Sequence, residues 1–267
     1  MSVRIAVDTG GTFTDIVVAD SDGAMTLAKA LTTPERIFSG IEEALGVAAE
    51  ARGTSLGELL SEAATLVYGT TRATNAIVTG QIARTAFLTT RGFPDTLVIR
   101  EGGKFEAHDF SQPFPKPYIP RRHAFEIDER IDAEGVVVRA LDEDGARNLL
   151  RDLRTRDFEA VAVCLLWSIA NPVHEERLGE LIQDELPGVP FTLSHRLNPI
   201  LREYRRASST AIDASIKPLM QEHLRELRTD LHAAGYRGEL LVSTTIGGCV
   251  DIETTADRPI HTVRSGP

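Results

Sequence analysis

The chain has 267 residues, 42% of them apolar, and its 29 basic and 39 acidic side chains give a net charge of −10. This length suits one large or two modest domains, and the negative charge argues against nucleic acid as a general partner. No stretch approaches the roughly 20 apolar residues of a membrane span, the N-terminus has no charged-then-apolar leader, and the two cysteines suggest neither a disulfide framework nor a metal site, so we expect a cytoplasmic protein without membrane contact.

The first predicted elements are two strands joined by a glycine turn. Apolar and polar residues alternate from Val3 to Asp8, which predicts a half-buried strand, and a second alternating stretch runs from Ile16 to Asp20. Gly10 and Gly11 lie between these stretches. They therefore predict a tight hairpin turn.

This turn also carries the polar groups of a phosphate site. Its glycines leave N–H groups bare of side chains, and hydroxyls at Thr9, Thr12 and Thr14 add donors suited to phosphate oxygens. Asp8 and Asp15 are then expected to hold a magnesium ion, its water shell or an attacking water, with Asp8 as the metal ligand. The alternative is an ordinary Gly-Gly hairpin whose Asp and Thr side chains satisfy turn amides. Because two carboxylates and three hydroxyls crowd one turn, we favour the phosphate site.

The pattern then changes from strands to helices. Ala24 to Ala30 predicts a third antiparallel strand, and Thr33 is the predicted N-cap of a helix with one apolar face. Ser55 and Glu58 predict a capping box for a further short helix. A brief strand is predicted at Leu66 to Tyr68.

A second polar loop follows that brief strand. Gly69, Thr70 and Thr71 precede a segment of helical character at Ala76 to Val78, so they are expected at a helix N-terminus. Unpaired amides and the positive end of the helix dipole make such a place receptive to an anion. Plain capping of the helix by Thr71 is an equally weighted alternative.

The rest of the chain predicts further α/β structure after a proline-rich loop. The loop, about residues 100–122, is extended and either functional or a surface strap. Trp167, at the end of a buried strand, is expected to be an anchor rather than a stacking platform. The predicted elements are a hairpin of strands 124–131 and 136–139, a βαβ-like layer of helix 142–156, strand 160–166, a helix from 171 and strand 191–194, then a helical pattern over 200–234 interrupted at Pro218, and a strand at 239–243.

Two arginines stand out near the start of the long helical pattern. Arg202 and Arg206 are four residues apart, which places them on one face of the predicted helix. They would hold an anionic ligand or form an intrachain ion-pair network, and the two interpretations stay open.

Together these motifs resemble the N-terminal part of the hydantoinase/oxoprolinase A family, which includes subunits of acetone and acetophenone carboxylases. The matching runs follow the family's order along almost the whole chain, so they are more specific than the Gly-Gly turn alone. They are VDTGGTFTD (7–15), YGTTRATNA (68–76), LTTRGFPDTL (88–97), PRR with FEIDERI (120–131), REYRRASSTAID (202–213) and VRSGP (263–267).

The resemblance implies an α/β fold of the actin-like ATPase type, in which two ribonuclease H-like lobes enclose a nucleotide. It implies the N-terminal lobe here, with three antiparallel strands followed by alternating helices and strands and a second α/β layer, while the C-terminal lobe is missing. The expected domains are residues 1–195, an N-terminal ribonuclease H-like domain containing the inserted loop at about 100–122, and residues 196–267, the start of a truncated core domain.

The resemblance also implies ATP and Mg²⁺ as cofactors. By resemblance the residues facing the phosphates are Asp8, Gly10, Gly11, Thr12 and Thr14, with Asp15 near the metal or water. By resemblance the residues lining the same cleft from the other side are Gly69, Thr70, Thr71 and Asn75. Near Ser243 the chain departs from the family's pattern, so no substrate role is carried onto that segment.

The function implied is ATP-dependent hydrolysis of a cyclic amide, of the hydantoin, 5-oxoproline or lactam type, through phosphoryl activation of the amide carbonyl. The expected partners are the small-molecule substrate, a hydantoinase B-type subunit in a hetero-oligomer, and the missing C-terminal lobe, without which the chain is expected to be inactive. The alternatives are a subunit of an ATP-dependent ketone carboxylase, a sugar or acid kinase, and a non-catalytic assembly subunit.

Overall fold

The computed structural model describes residues 3–33, 36–102, 106 and 108–265, so residues 103–105 and 107 of the proline-rich loop lie outside the described part. Short 3₁₀ turns occur at Arg121–His123 and Pro259–Thr262. The helices and strands are β1 (Val3–Thr9), β2 (Phe13–Ala19), β3 (Met25–Leu31), α1 (Ile37–Ala51), α2 (Leu56–Glu62), β4 (Ala63–Thr70), α3 (Arg72–Thr79), β5 (Thr85–Thr90), α4 (Thr96–Ile99), β6 (Ala124–Ile127), β7 (Arg130–Ile131), β8 (Val137–Arg139), α5 (Glu143–Thr155), β9 (Ala160–Cys164), α6 (Val173–Glu185), β10 (Phe191–Leu193), α7 (Ser194–Leu197), α8 (Glu203–Ala233), β11 (Glu239–Ser243), β12 (Cys249–Asp251) and α9 (Ile252–Asp257).

The chain forms two compact units. The first contains the residues up to Gln81 and those from Leu219 onward, and the second runs from Ile82 to Pro218. The division falls within α8. The domains expected from the sequence, 1–195 and 196–267, divide the chain by family resemblance rather than by compactness and stay a prediction. Within the described residues, no helix combines the length and apolarity needed to cross a membrane.

The first unit is built on a six-stranded mixed sheet with the strand order β12-β11-β4-β1-β2-β3. Strands β1, β2 and β3 are antiparallel neighbours, as the sequence predicts, whereas β4 runs parallel to β1 and β11 parallel to β4. Along β1 the residues Val3, Ile5 and Val7 are buried while Arg4 and Ala6 are exposed. The sheet therefore has one covered face and one open face, and Asp8 lies on the open face.

Helix α1 begins three residues later than predicted. Its N-cap is Arg36, which makes no side-chain cap, while the hydroxyl of Thr33 donates to the Arg36 carbonyl and accepts from the Gly40 amide. Thr33 thus satisfies a helix amide from outside the helix. Gly40 is required here because a Cβ at that position would lie 2.5 Å from the carbonyl oxygen of Leu31. The close approach of α1 to β3 depends on that missing atom.

The second unit is built on a parallel four-stranded sheet with the order β10-β9-β5-β6. Its β9-α6-β10 segment confirms the predicted βαβ-like layer. The chain places β6 on one side of β5 and then β9 and β10 on the other, so the strand order reverses between β5 and β9. Helices α5 and α6 bury Leu150, Leu153, Leu178 and Ile182 against this sheet.

Two predicted elements differ from the structure, and two observed ones were not predicted. The predicted strand 124–131 is split, because β6 pairs with β5 while β7 pairs with β8, and the intervening Glu129 is buried and bonded outside the ladder. The helix predicted to be interrupted at Pro218 is continuous. Proline removes one hydrogen bond, but the residues near it, Ile216 and Met220, are fully buried and packing holds the helix together. Strand β12 and helix α9 have no counterpart among the predicted elements.

Candidate functional site

The two predicted catalytic carboxylates lie directly opposite each other. Asp8 on β1 pairs in register with Asp15 on β2, and both lie on the open face of the sheet. Asp15 forms an ion pair with Lys29, whose Nζ is 2.8 Å from the Asp15 carboxylate. Like charges in directly opposed positions repel. A cation between or beside them would remove that repulsion.

Asp8 has an unsatisfied oxygen. Its Oδ1 is buried and has no hydrogen-bond partner among the described residues. Burial raises the pKa of this carboxyl, and the nearby charge of Asp15 raises it further. Both causes disfavour the ionised form, so the folded chain holds a carboxylate that gains from any cation brought to it.

Asp8 Oδ1 and the Ser243 hydroxyl both lie next to Gly69, on the strand between them. Gly69 is the register partner of Asp8 on β4, and a Cβ placed on it would be 3.3 Å from Asp8 Oδ1 and 3.4 Å from the Ser243 hydroxyl. Glycine at this position keeps the space beside the carboxylate open. No role was predicted for Ser243, because its position next to Gly69 follows from the pairing of β11 with β4, which links residues far apart in the chain.

The glycine turn spans residues 10–12, and its conformation does not require glycine. Neither Gly10 nor Gly11 has a positive φ, and the Gly10 amide already donates to the Phe13 carbonyl at 2.9 Å. A Cβ on Gly11 would meet only Asn75 Nδ2, at 3.8 Å. The predicted tight hairpin turn between β1 and β2 is therefore confirmed, although its φ angles do not demand glycine and only a Cβ on Gly10 would be crowded, 3.3 Å from the Phe13 carbonyl oxygen. Gly10 and Gly11 leave the side of the turn that faces α3 free of side chains.

Of the three threonines in this run, Thr12 and Thr14 are the two assigned to phosphate, and their surroundings differ. Thr14 is fully buried and its hydroxyl bonds the Thr32 hydroxyl at 3.0 Å, which in turn donates to the Gly10 carbonyl at 3.1 Å. Thr14 thus stabilises the turn from the covered face of the sheet, through Thr32. Thr12 is exposed, and its carbonyl accepts from the Thr32 amide. The predicted contacts of both hydroxyls with phosphate stay predictions.

Five of the predicted cofactor residues line one concavity of about 200 Å³. It lies at the end of β1, between the glycine turn and the N-terminus of α3. Asp8, Asp15 and Gly69 do not line it, because they lie on the open face of the sheet, while Thr9 and Thr70 lie on the covered one. The predicted residues that share the concavity are Gly10, Gly11, Thr70, Thr71 and Asn75.

The start of α3 is only partly capped, because the Arg72 amide donates to the Thr70 hydroxyl at 3.2 Å. Thr71 is the N-cap, but its side chain accepts no cap hydrogen bond from the helix amides and instead accepts from Asn75 Nδ2 at 3.3 Å. The alternative of plain capping by the Thr71 side chain is therefore wrong. Arg72, which the sequence left unassigned, also lines the concavity, and its buried Nε has no partner in the described part of the chain. An amide-rich helix start beside a guanidinium favours phosphate oxygens.

The residues fit a magnesium-bound phosphate group. Magnesium is commonly held by one or two carboxylates together with water and phosphate oxygens. Asp8 offers an oxygen without a partner, and Asp15 is beside it. Across the described ranges, no group of three or more His, Cys, Asp or Glu side chains forms an all-protein cage.

Comparison with known proteins identifies the family of this chain. The family model for the hydantoinase/oxoprolinase N-terminal region matches residues 4–186. The family model for hydantoinase/oxoprolinase matches residues 206–267. The acetophenone carboxylase gamma subunit of Aromatoleum aromaticum is 36% identical over 98% of this chain and 37% of that subunit. Caprolactamase subunit alpha of Pseudomonas jessenii is 30% identical over 99% of this chain and 38% of that subunit.

The fold agrees with these matches. The crystal structure of the ATP-dependent caprolactamase from Pseudomonas jessenii is similar with a TM-score of 0.90 and 30% identity, covering 99% of this chain and 38% of that one. The chain thus spans less than two fifths of the length of these relatives. The matches extend over both family regions and the whole described fold, and the chain belongs to the hydantoinase/oxoprolinase family.

Proposed function

We propose that this chain binds Mg-ATP at the end of β1 and forms the N-terminal part of an ATP-dependent hydrolase of cyclic amides. The substrate would be of the hydantoin, 5-oxoproline or lactam type. The observation that carries the proposal is the buried Oδ1 of Asp8, which lacks a partner and lies beside the open position at Gly69. When bound, Mg-ATP supplies a phosphoryl group that activates the amide carbonyl and a cation that neutralises the developing charge.

Each predicted residue then has a task within this proposal. Asp8 would hold the magnesium ion, and Asp15, fixed by Lys29, would orient water beside it. The turn, with bare Cα atoms at Gly10 and Gly11, would let phosphate oxygens approach the backbone. The other phosphate contacts would come from Thr12, Thr14, Gly69, Thr70, Thr71 and Asn75, with Arg72 as an added cation.

The actin-like ATPase fold is part of the same proposal. Its support is the three antiparallel strands of the first unit, followed by α1, α2, β4 and α3, which is the order that a ribonuclease H-like lobe implies. The second unit supplies the further α/β layer. The division into domains 1–195 and 196–267 remains proposed on the same grounds.

Partners enter the proposal through the relatives. Two of them are named as subunits, gamma in one enzyme and alpha in the other. We therefore propose a hetero-oligomer with a hydantoinase B-type subunit, together with a C-terminal lobe that completes the nucleotide site. The chain alone would bind Mg-ATP weakly and turn over little.

A second candidate is a subunit of an ATP-dependent ketone carboxylase. The 36% identity to an acetophenone carboxylase subunit favours it. Release of ADP separates the two candidates when the assembled enzyme is offered one substrate class at a time. Release driven by a hydantoin, 5-oxoproline or a lactam supports the hydrolase, and release that needs acetone or acetophenone with bicarbonate supports the carboxylase.

The nucleotide site itself is tested by isothermal titration of the full-length protein, assembled with its partner subunit, with Mg-ATP. Asp8→Asn should weaken binding at least about tenfold, since a charge-assisted ligand bond is lost. Excess EDTA should weaken wild-type binding similarly and have little further effect on the variant. Asp22→Asn is the control, because Asp22 is an exposed turn residue whose carboxylate accepts from the Ala24 amide. Equal affinity of wild type and Asp8→Asn would refute the proposal.

A further inference from the structure

The second unit contains a cavity of about 520 Å³ at the carboxyl edge of its parallel sheet. Three of its lining residues lie three positions after a strand end: Phe93 after β5, Arg130, the first residue of β7, after β6, and Trp167 after β9. The strand order reverses between β5 and β9. In open α/β sheets, ligands bind outside the carboxyl ends of the strands at such a reversal. The volume is within the usual range for small-molecule sites. We call it the carboxyl-edge cavity.

Buried polar groups fix the loops that form this cavity. Glu129, immediately before Arg130, is 2% exposed and accepts hydrogen bonds from the Thr90 hydroxyl and from His174 Nδ1, the latter at 2.7 Å. The same Thr90 hydroxyl accepts from the Leu166 amide at 2.9 Å. The ends of β5, β6 and β9 are thus tied to one another through one threonine and one carboxylate. Such buried charge rigidifies a structure when all its partners are present.

A second buried group holds the other side of the β9 end. Glu175 accepts from the Leu165 amide at 2.8 Å, and the fully buried Arg206 donates to the Leu165 carbonyl at 2.8 Å. Arg206 is therefore a structural residue rather than part of a surface anion site with Arg202, and Arg202 lies before α8 instead of on its face. The loop carrying Leu166 and Trp167 is held from both sides.

Backbone strain is concentrated around the carboxyl-edge cavity. Five non-glycine residues in the described ranges have positive φ, and Arg100, Trp167 and Arg202 are three of them, with φ of 60°, 56° and 74°. Arg100 and Trp167 line the cavity, and Arg202 precedes the lining residue Glu203. Arg100 combines its φ with a ψ of −143°, close to a region that is almost restricted to glycine. Strained residues of this kind cluster at ligand sites because the surrounding structure must hold them in place.

The lining has a definite chemical character. Phe93, Trp167 and Tyr204 give it aromatic surface, and Arg130 stacks on Phe93 with its guanidinium carbon 5.2 Å from the ring centroid. Among the described residues, Arg130 makes no ion pair or side-chain hydrogen bond. A guanidinium presented this way offers a flat fork to a carboxylate.

The charge balance of the lining favours an anion. Arg100 donates to the Lys116 carbonyl but has a buried Nε without a partner in the described part. The carboxylate of Asp95 is already bonded to Arg121 at 2.5 Å. Two guanidinium groups therefore face one remaining carboxylate, that of Glu203.

We propose that the carboxyl-edge cavity binds a small organic carboxylate whose apolar body is a ring. The ring lies against Phe93, Trp167 and Tyr204, and the carboxylate accepts from Arg130. This site is separate from the Mg-ATP site and does not depend on the proposed function. Its test is made without nucleotide, so that failure of one proposal leaves the other standing.

Benzoate is the probe, and Trp167 is the reporter because it is the one tryptophan in the 267-residue sequence. Titration of the chain with benzoate should change the tryptophan fluorescence along a saturable curve, and isothermal titration should give the same Kd. Benzylamine has the same ring with the opposite charge, and it should bind at least about tenfold more weakly. Absence of saturable benzoate binding, or equal binding of the two probes, would overturn the proposal.

Arg130→Gln assigns the binding to the cavity. It should weaken benzoate at least about tenfold, since hydrogen bonds to a charged group are among the strong ones, and Arg130→Lys should give an intermediate loss because it keeps the charge without the fork. The matched control is Arg84→Gln, since Arg84 likewise stacks on a phenylalanine, 4.9 Å from the Phe158 centroid, but precedes β5 at the amino edge of the sheet. Circular dichroism checks that each variant folds. Wild-type benzoate affinity in Arg130→Gln would show that the cavity is not the site.

Discussion

The two units differ in whether their buried carboxylates have hydrogen-bond partners. In the first unit, Asp8 has a buried oxygen with no partner and faces a second carboxylate. In the second unit, Glu129 and Glu175 are almost completely buried, yet both carboxylates are bonded to neighbouring donors. An unpaired carboxylate destabilises the fold that contains it, so its presence indicates a task outside the fold. A fully paired carboxylate belongs to the scaffold.

This contrast predicts effects of opposite sign. Removing a fully paired buried carboxylate leaves several donors unsatisfied, which lowers the free energy of unfolding. Removing an unpaired buried carboxylate relieves desolvation and charge repulsion, so the free energy of unfolding rises. The variants below test the contrast, beginning with the largest expected change.

Glu175→Ala should lower the free energy of unfolding by about 3–5 kcal/mol, the range seen when one partner of a buried charge network is lost. Glu175 accepts from the Leu165 amide, the Ser194 hydroxyl at 2.6 Å, and both the amide and Nδ1 of His195, at 3.0 and 2.6 Å. Urea unfolding followed by Trp167 fluorescence reports the second unit, where this tryptophan lies.

The neighbouring Glu176→Ala is the matched control for that measurement. The Glu176 side chain is 49% exposed and lies 3.7 Å from Arg196 and 3.9 Å from His195 Nε2, without a hydrogen bond of its own to either among the described residues. Such pairs contribute little, so the change should stay within about 0.5 kcal/mol. A loss for Glu175→Ala as small as that of its neighbour would contradict the scaffold role.

The sequence predicts the first unit's site better than the second unit's. Asp8 to Asp15 is one contiguous run, so the strand pair, the turn and the opposed carboxylates follow from alternation and turn chemistry. Most strands and helices were likewise predictable from local patterns. What could not be predicted is which residues strand pairing brings together, such as Ser243 next to Gly69 or Trp167 at the wall of a cavity. The carboxyl-edge cavity draws on four separate segments, and no spacing in the sequence brings them together.

The pH dependence of stability in the first unit should be dominated by His223 between pH 6.5 and 5. Burial, with a smaller effect of Arg72, lowers the pKa of this histidine to about 3, and its ring bonds the Tyr68 hydroxyl at 2.9 Å. The unfolded chain takes up a proton below about pH 6.5 while the folded chain does not, so stability is present above that pH and is lost as pH falls. At ~1.4 kcal/mol per pH unit, the free energy of unfolding should drop by about 2 kcal/mol over this interval.

Replacement of His223 by Phe should flatten that part of the profile in urea unfolding followed by far-ultraviolet circular dichroism. His232→Gln is the control on the same helix, because His232 is exposed. A profile of His223→Phe that keeps the wild-type slope would show that other groups carry the dependence.

Gly69→Ala should lower the free energy of unfolding by about 1 kcal/mol, as overpacking does. The new methyl group would be 3.3 Å from Asp8 Oδ1 and 3.4 Å from the Ser243 hydroxyl, so one of them must shift. Gly57→Ala, in α2 and with no atom within 4 Å of its added Cβ, should instead stabilise the helix by about 0.5–1 kcal/mol. Thermal unfolding of the two variants gives the signs directly. Similar stabilisation by both would mean that the space beside Asp8 is not confined.

The smallest expected change is also the one that states the contrast most directly. Asp8→Asn should raise the free energy of unfolding at neutral pH, by less than about 1 kcal/mol because solvent screens a partly buried site. Burial and Asp15 raise the pKa of Asp8 in the folded chain above its value in the unfolded chain. The wild type is therefore destabilised as the pH rises from the unfolded pKa through the folded pKa. Below the ordinary carboxyl pKa the stability advantage of Asp8→Asn should vanish.

Glu175→Gln should act in the opposite direction and lower the free energy of unfolding, since an amide cannot accept all four bonds that the carboxylate accepts. Urea unfolding of both variants at neutral and acidic pH decides the point: loss of stability in Asp8→Asn at neutral pH would mean that its oxygen has a partner in the fold, and the reason to assign it a cation would disappear.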